Sequence, residues 1–471
     1  MPFSSLLFLT VFFPAFVVLT WATPRAGRNV TLLVLSILFY AWGAPWFLPV
    51  VLALGIIDWL LALQIAKLRG TKAARVIVGF AVTMHLSVLA YFKYSNFFVG
   101  ELGSLLTHVG HAPISWKEVA LPIGVSFLTF EEISYVVDVY RGEARPSRSV
   151  PQYLLFLMLF PHSIAGPIFR WKDLEEQLVE RGERLDDVVQ GITRFVWGLA
   201  KKILVADAAA ITADAAFSHD ANEVTMSVAW LGAFAYAIQI FYDFSGYSDM
   251  AIGLGRIAGF RFKENFNDPY VSASITEFWT RWHMSLSRWL RDYLYIPLGG
   301  NRSGETRTRI NVTIVFVLSG LWHGASWTFM LWGAYHAFFS VLERTRPGEL
   351  FRTKTPRFLA IPVTFAVVVI GWVFFRAVSV EQSFAFIRAM LGLAAHVPPI
   401  AKMPPAELMP NRSFVFLVLG IAFVIARATF GRPDPEGPWR RVYIGLAPLL
   451  LFFSLLQIVN TKFIPLIYFK F

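Results

Sequence analysis

The stretch Ser319-Gly320-Leu321-Trp322-His323-Gly324-Ala325-Ser326-Trp327 decides how this chain folds. It sits inside a run, Asn311 to Leu342, that contains no Lys, Arg, Asp or Glu. That run is longer than the ~20 apolar residues one helix needs to cross a bilayer. Gly320 and Gly324 flank the histidine, so the run reads as a helix broken at membrane depth, where irregular backbone survives only against protein or a water-filled cavity. A charged imidazole there costs a few kcal/mol, so His323 is expected to be neutral and able to accept a proton from a hydroxyl. Two readings follow: a general base, or a packing histidine held by hydrogen bonds. His336, further along the run, falls on a different face of a continued helix and reads as structural.

Composition extends the membrane reading to the whole chain. Of 471 residues, 56% are hydrophobic and 15% charged, against ~45–50% and ~25% in soluble domains. So few charges cannot cover a water-facing surface of this size. The 16 Trp, 15 Tyr and 45 Phe suit a protein that anchors rings at bilayer interfaces. There is no cysteine, which excludes thiolate metal sites and any acyl relay through the chain's own thiols. The formal charge is +11, but the basic residues lie in short clusters between apolar runs, a topology signal and not a nucleic-acid surface.

The apolar run Phe3 to Ala22 lacks a basic leader and a convincing cleavage motif, and is expected to stay as the first span. Runs follow at 30–42, 47–66, 76–92 and 121–140, and later ones near 150–165, 190–215, 225–245, 311–342, 358–376, 413–427 and 443–459. Several are too short or too polar to cross alone, so about nine to twelve spans plus re-entrant or interfacial helices are expected. Arg25 and Arg28, then Lys67, Arg69, Lys72 and Arg75, then Arg141, Arg145 and Arg148 occupy alternate loops. By the positive-inside rule these loops are cytoplasmic and the amino terminus is periplasmic or exterior. The charged stretch Lys172 to Asp187 reads as a solvated, cytoplasmic helix.

After Asn267-Asp268-Pro269, Ser274 to Glu277 fits a capping box, and a helix is expected from there to Pro297. On such a helix His283, Ser287, Leu290 and Leu294 share one stripe and Trp282, Leu286, Trp289 and Tyr293 another, while Arg288 and Asp292 can pair. It reads either as an amphipathic interfacial helix with a snorkelling histidine or as the carrier of a functional one. Glu131, Glu132, Asp138, Asp243 and Asp249 fall within apolar runs, where carboxylates serve catalysis or bind cations and backbone. His162, beside Pro161, reads as a loop cap or a path-lining residue. His85, His108, His111, His219 and His396 show no metal-ligand spacing, so no metal is expected. No phosphate-binding loop or dinucleotide fingerprint occurs.

Several motifs together carry a resemblance: NFNDPY (265–270), EFWTRWHMSLS (277–287), WLRDY (289–293), IPLGGN (296–301) and GLWHGASW (320–327). LPIGVSF (121–127), ISY (133–135), DVYR (138–141), FP (160–161), AGPI (165–168) and IYFKF (467–471) add to it. The chain resembles the membrane-bound O-acyltransferase (MBOAT) family, in its bacterial alginate O-acetyltransferase, AlgI-like branch, over nearly its whole length. The resemblance implies an all-α polytopic membrane protein, residues 1–471 forming one membrane-embedded domain with a catalytic core at about 121–345. It implies a ring of tilted helices with re-entrant or interfacial helices around a central tunnel. Cytoplasmic acetyl-CoA would be the donor, His323 would correspond to the family's near-invariant histidine and His283 to its second active-site histidine. Relatives in alginate and cellulose systems work beside a separate periplasmic SGNH-type acetyltransferase, so such a partner and polysaccharide export machinery are expected, with location in the bacterial inner membrane. The Glu131-Glu132 pair and a somewhat shorter chain depart from the branch and leave the polysaccharide open; relatives also modify peptidoglycan or transfer D-alanine.

The chemistry of the residues agrees with this. Acyl transfer from a thioester to a hydroxyl needs a base, donors at the developing oxyanion and a dry chamber. His323 supplies the first, while His283, Trp322 and a backbone amide are candidates for the second. Arg281, Arg288 and Arg291, with Trp322, are candidates to hold coenzyme A, although the arginines can equally anchor a helix at the interface. A transporter with buried carboxylates and broken helices would look similar, and the residues alone leave that alternative open.

Overall fold

The computed structural model describes all residues except 164–165, 183, 220–223, 394–407, 431–436, 462–463 and 467–471. Ala165, His396 and the aromatic end 467–471 therefore lie outside the described residues. Among those described, there are helices and no β-strand. They gather into two compact units, Met1–Gly191 with Leu254–Phe262, and Ile192–Gly253 with Lys263–Phe471.

The first unit contains α1 (Phe13–Ala22), α2 (Arg28–Gly43), α3 (Leu48–Lys67), α4 (Lys72–Leu89), α5 (Ser95–His108), α6 (Val125–Arg141), α7 (Val150–Met158) and α8 (Trp171–Val179). A widened turn at Ala90–Tyr94 joins α4 to α5. The apolar runs thus become helices within a few residues of where hydropathy places them. Their outward positions, such as Val18, Val34, Ile56 and Phe80, are exposed apolar side chains, as suits contact with lipid. Trp42 and Trp46 are likewise exposed at the turn between α2 and α3, as expected of rings at a bilayer interface.

Buried polar groups pin this unit together. His85 on α4 places Nε2 2.7 Å from Asp58 Oδ1 on α3 and Nδ1 2.9 Å from Glu132 Oε2 on α6. Tyr153 on α7 donates to the other Asp58 oxygen at 3.2 Å. His162 is no loop cap: its Nδ1 lies 2.8 Å from Glu131 Oε1, both groups fully buried. The adjacent carboxylates of α6 thus go to two different histidines. The stretch 172–187 departs from the single solvated helix expected of it. α8 ends at Val179, a new helix begins at Leu185, and Asp187 is buried between Arg256 and Arg261.

The second unit holds most of α9 (Leu185–Ala200) and α11 (Met226–Ile257), with α10 (Asp207–Ser218), α12 (Ile275–Arg281), α13 (Met284–Leu290), α14 (Gly304–His323) and α15 (Trp327–Leu342). It continues with α16 (Arg346–Lys354), α17 (Arg357–Arg376), α18 (Val380–Met390), α19 (Asn411–Phe430) and α20 (Arg440–Asn460). Its core is aromatic, including Phe244, Phe266, Trp282, Trp332, Trp372 and Phe375. The aspartates of α11 are paired, as the structural reading of intramembrane carboxylates requires: buried Asp243 meets Lys202 at 2.7 Å, and half-buried Asp249 meets Arg194 at 2.7 Å and Lys201 at 2.5 Å.

Among the described residues five helical segments are long and apolar enough to cross a membrane: Arg25–Gly43, Leu48–Lys67, Lys72–His108, Arg357–Arg376 and Arg440–Asn460. The sequence suggests more because it counts shorter or more polar helices as spans. α15 has 16 residues, α14 reaches back through Glu305, Arg307 and Arg309, and α11 carries Asp243, Asp249 and Arg256. The molecule is an all-α polytopic membrane protein.

Candidate active site

The helix expected from Ser274 to Pro297 is broken. Its start is as read: Ser274 Oγ accepts from the Glu277 amide at 3.0 Å, and the Glu277 carboxylate accepts from the Ala273 amide at 2.8 Å. The Glu343 carboxylate, from just beyond α15, also accepts from the Thr276 amide at 2.9 Å and the Thr276 hydroxyl at 2.7 Å, a favourable charge at a helix N-terminus. α12 then stops at Arg281. Trp282 is extended and His283 takes the left-handed conformation, φ 44° and ψ 53°, before α13 starts at Met284. The continuous stripes therefore do not form. Left-handed backbone disfavours any side chain with a Cβ, by roughly 1–2 kcal/mol, so the hinge must be held from outside. Asn265 and Asn267 do so: Asn267 N–H donates to Arg281 carbonyl oxygen at 2.9 Å, and Met284 N–H to Asn265 carbonyl oxygen at 2.9 Å.

His323 closes α14, and the expected break follows it, Gly324 being extended and α15 starting at Trp327. The two glycines of facing turns explain why the hairpin closes so tightly. A Cβ on Gly320 would stand 2.2 Å from the Phe329 carbonyl oxygen, and one on Gly333 2.4 Å from that of Phe316. Neither contact is sterically allowed, so only glycine permits this approach of backbone to backbone.

Hinge and hairpin bring the two histidines together. Their ring centroids are 6.4 Å apart, with His283 1% and His323 5% exposed. Trp322 lies 6.3 Å from His283 and 5.0 Å from His323. Trp332 and Phe375 stand edge-on to His323 at 5.1 Å and 5.3 Å, and Phe244 edge-on to His283 at 4.7 Å. The two imidazoles thus share one buried, aromatic-lined neighbourhood. Trp332, Phe375 and Phe244 carry no motif signal in the sequence; only packing reveals them.

The three arginines each have partners of their own. Arg281 pairs with Glu277 at 2.9 Å and donates to the Asn267 carbonyl oxygen at 3.1 Å. Arg288 reaches the Glu264 carbonyl oxygen at 3.5 Å, and Arg291, 59% exposed, meets Asp292 at 2.8 Å. His336 is fully buried between Trp279, at 5.0 Å, and Trp332, at 5.2 Å, and neither of its ring nitrogens has a hydrogen-bond partner among the described residues. Away from these histidines, Asp58, His85 and Glu132 bring three potential metal ligands within 4.8 Å of one another. There His85 Nε2 hydrogen-bonds to Asp58 Oδ1 at 2.7 Å and Nδ1 lies 2.9 Å from Glu132 Oε2, so the imidazole sits between the two carboxylates.

Comparison with known proteins places these residues in context. Residues 79–382 match the membrane-bound O-acyltransferase family. The chain is 41% identical over 493 residues, covering 100% of both chains, to a probable alginate O-acetylase AlgI of Pseudomonas putida. It is 45% identical over 437 residues, 92% of this chain and 83% of the relative, to the probable alginate O-acetylase AlgI of Pseudomonas aeruginosa. A peptidoglycan O-acetyltransferase of Helicobacter pylori is 31% identical over 431 residues, 83% of this chain and 80% of its own. With a full-length match of this strength and both histidine motifs at a single aromatic centre, the chain is an O-acyltransferase and belongs to the membrane-bound O-acyltransferase family.

Proposed function

We propose that this protein takes acetyl from cytoplasmic acetyl-CoA and passes it across the inner membrane to a periplasmic acceptor that serves exopolysaccharide O-acetylation, of alginate or cellulose type. The observation that carries this reading is the meeting of His283 and His323 in one buried aromatic box. The relatives named as alginate O-acetylases support the choice of acyl group and polymer. The residues 121–345 act as the catalytic core of one membrane-embedded domain.

In the proposed reaction an acceptor hydroxyl attacks the thioester carbonyl carbon, and His323 takes the hydroxyl proton as the C–O bond forms. Collapse of the tetrahedral intermediate breaks the C–S bond, and the same proton passes to the departing thiolate to give free coenzyme A. Water exclusion by Trp322, Trp332 and Phe375 protects the thioester from hydrolysis. Trp322 Nε1 and a backbone amide are the candidate oxyanion donors, with His283 beside them. Coenzyme A contacts are assigned to Arg281, Arg288, Arg291 and Trp322; Arg291, the most exposed of these three arginines, is the first to test. The direct acceptor is the hydroxyl of a periplasmic SGNH-type partner, because a buried pair of histidines can serve one inserted hydroxyl but cannot seat a long glycan.

The test is coenzyme A release from full-length protein in proteoliposomes, with acetyl-CoA on the cytoplasmic side and the partner outside. His323→Ala should fold and bind acetyl-CoA while release falls about 10²–10⁴-fold, the usual worth of a positioned base. Near-normal release in well-expressed His323→Ala would overturn the mechanism, and polymer acetylation without a partner would overturn the relay.

A further inference from the structure

The hinge at His283 contains enough hydrogen-bond geometry to assign a proton. Ser285 N–H donates to Asn265 Oδ1 at 3.1 Å. A backbone N–H can only donate, so this atom of the Asn265 amide must be its oxygen, whatever ambiguity attends amide orientation. Ser285 Oγ lies 2.8 Å from the same oxygen. Two oxygens at that distance need a hydrogen between them, and an amide oxygen has none to give, so Ser285 donates its only hydroxyl proton to Asn265. What Ser285 Oγ then offers elsewhere is lone pairs. His283 Nδ1 stands 3.4 Å from it, a long contact in which nitrogen must be the donor. Asn265, Ser285 and His283 are all buried, at 1%, 2% and 1% exposure, so water does not compete for these positions.

We infer that Asn265 and Ser285 are positioning residues that hold the His283 proton on Nδ1 and leave Nε2 as the proton-accepting nitrogen. The same two residues hold the ring's backbone, through the Asn265 carbonyl to Met284 N–H and the Asn265 side chain to Ser285 N–H. Asn265 therefore sets both the direction of the imidazole and its tautomer. The inference deepens the proposed function and rests on its placing of His283 in the transfer site. A neutral His283 with its proton on Nδ1 cannot donate from Nε2 to an oxyanion. That duty falls to Trp322 Nε1 and the backbone amide, and His283 Nε2 presents a hydrogen-bond-accepting lone pair while His323 takes the hydroxyl proton.

The experiment is nitrogen NMR on full-length protein, labelled at histidine and embedded in lipid, with the His283 signals identified by their loss in His283→Asn. The expected spectrum shows Nδ1 protonated and Nε2 bare in the wild type, a mixture or reversal in Ser285→Ala, and the wild-type pattern restored in Ser285→Thr. In parallel, Ser285→Ala should lower kcat for coenzyme A release by about tenfold to a hundredfold, as small misplacements of a reacting group do, with KM for acetyl-CoA unchanged and Ser285→Thr recovering most of the loss. A proton on Nε2 in the wild type would overturn the inference, as would a Ser285→Ala protein with unchanged tautomer and turnover. If Ser285→Ala fails to fold, the wild-type spectrum decides alone. Absence of acyl transfer in the wild type would instead count against the proposed function, since the tautomer is read without turnover.

Discussion

His336 and His323 lie on one hairpin, both buried among tryptophans, yet their surroundings assign them opposite fates. His323 ends its helix and faces a second imidazole, whereas His336 sits mid-helix with its ring against Gly371, where a Cβ would come within 2.7 Å of Nε2. His336→Ala should therefore lower stability by about 2–4 kcal/mol, the range for emptying a large buried side chain. Turnover per folded molecule should be unchanged. Thermal unfolding in detergent alongside coenzyme A release separates the two, and a selective loss of turnover would show that His336 takes part in chemistry. At this scale the sequence was informative about His323, because a lone ionisable residue between glycines in an uncharged run is visible in one dimension. The hinge at His283 was not, since periodicity carries no sign of a positive φ, and Asn265 and Ser285 act across a gap in sequence that only folding closes.

Elements are held in two different ways in the two units. The α14–α15 hairpin relies on missing side chains, so Gly333→Leu should force the helices apart, displace His323 three residues beyond Gly320, and abolish turnover together with a clear drop in the unfolding midpoint. Retained activity in that variant would show that the close approach is dispensable. In the first unit α3, α4 and α6 are held by the His85 ring between Asp58 and Glu132. Removing one member of a buried ion group leaves the others uncompensated, so His85→Ala should destabilise by about 3–5 kcal/mol, measurable as loss of folded protein on heating; an unchanged midpoint would refute the pin. The positions of α2, α3, α17 and α20 were legible from apolar runs. The break at Trp282 and the end of α8 at Val179 were not, because capping and charge signals continued past both points while tertiary partners ended the helices.

For the whole molecule the open question is which way it faces. The basic residues of alternate loops predict that the α3–α4 loop is cytoplasmic and the α2–α3 turn exterior. A chain without cysteine makes this simple to check with single substitutions. Ala44 is buried and would not react, so Pro45→Cys and Thr71→Cys, at exposed positions, are the pair to use. An impermeant thiol reagent added to intact cells should modify residue 45 and spare residue 71, and the reverse pattern would invert the topology. The least buried of the five long apolar segments has a separate consequence. In Arg440–Asn460 only 11% of the apolar window is buried against protein, so its chief neighbour is hydrocarbon. At ~1.5 Å per residue it spans ~30 Å, and any misfit with the surrounding acyl chains is felt directly, at a fraction of a kcal/mol per Å. Acyl-chain length in the host membrane, or in a purification micelle, thereby becomes a physiological and experimental variable of this enzyme in its own right.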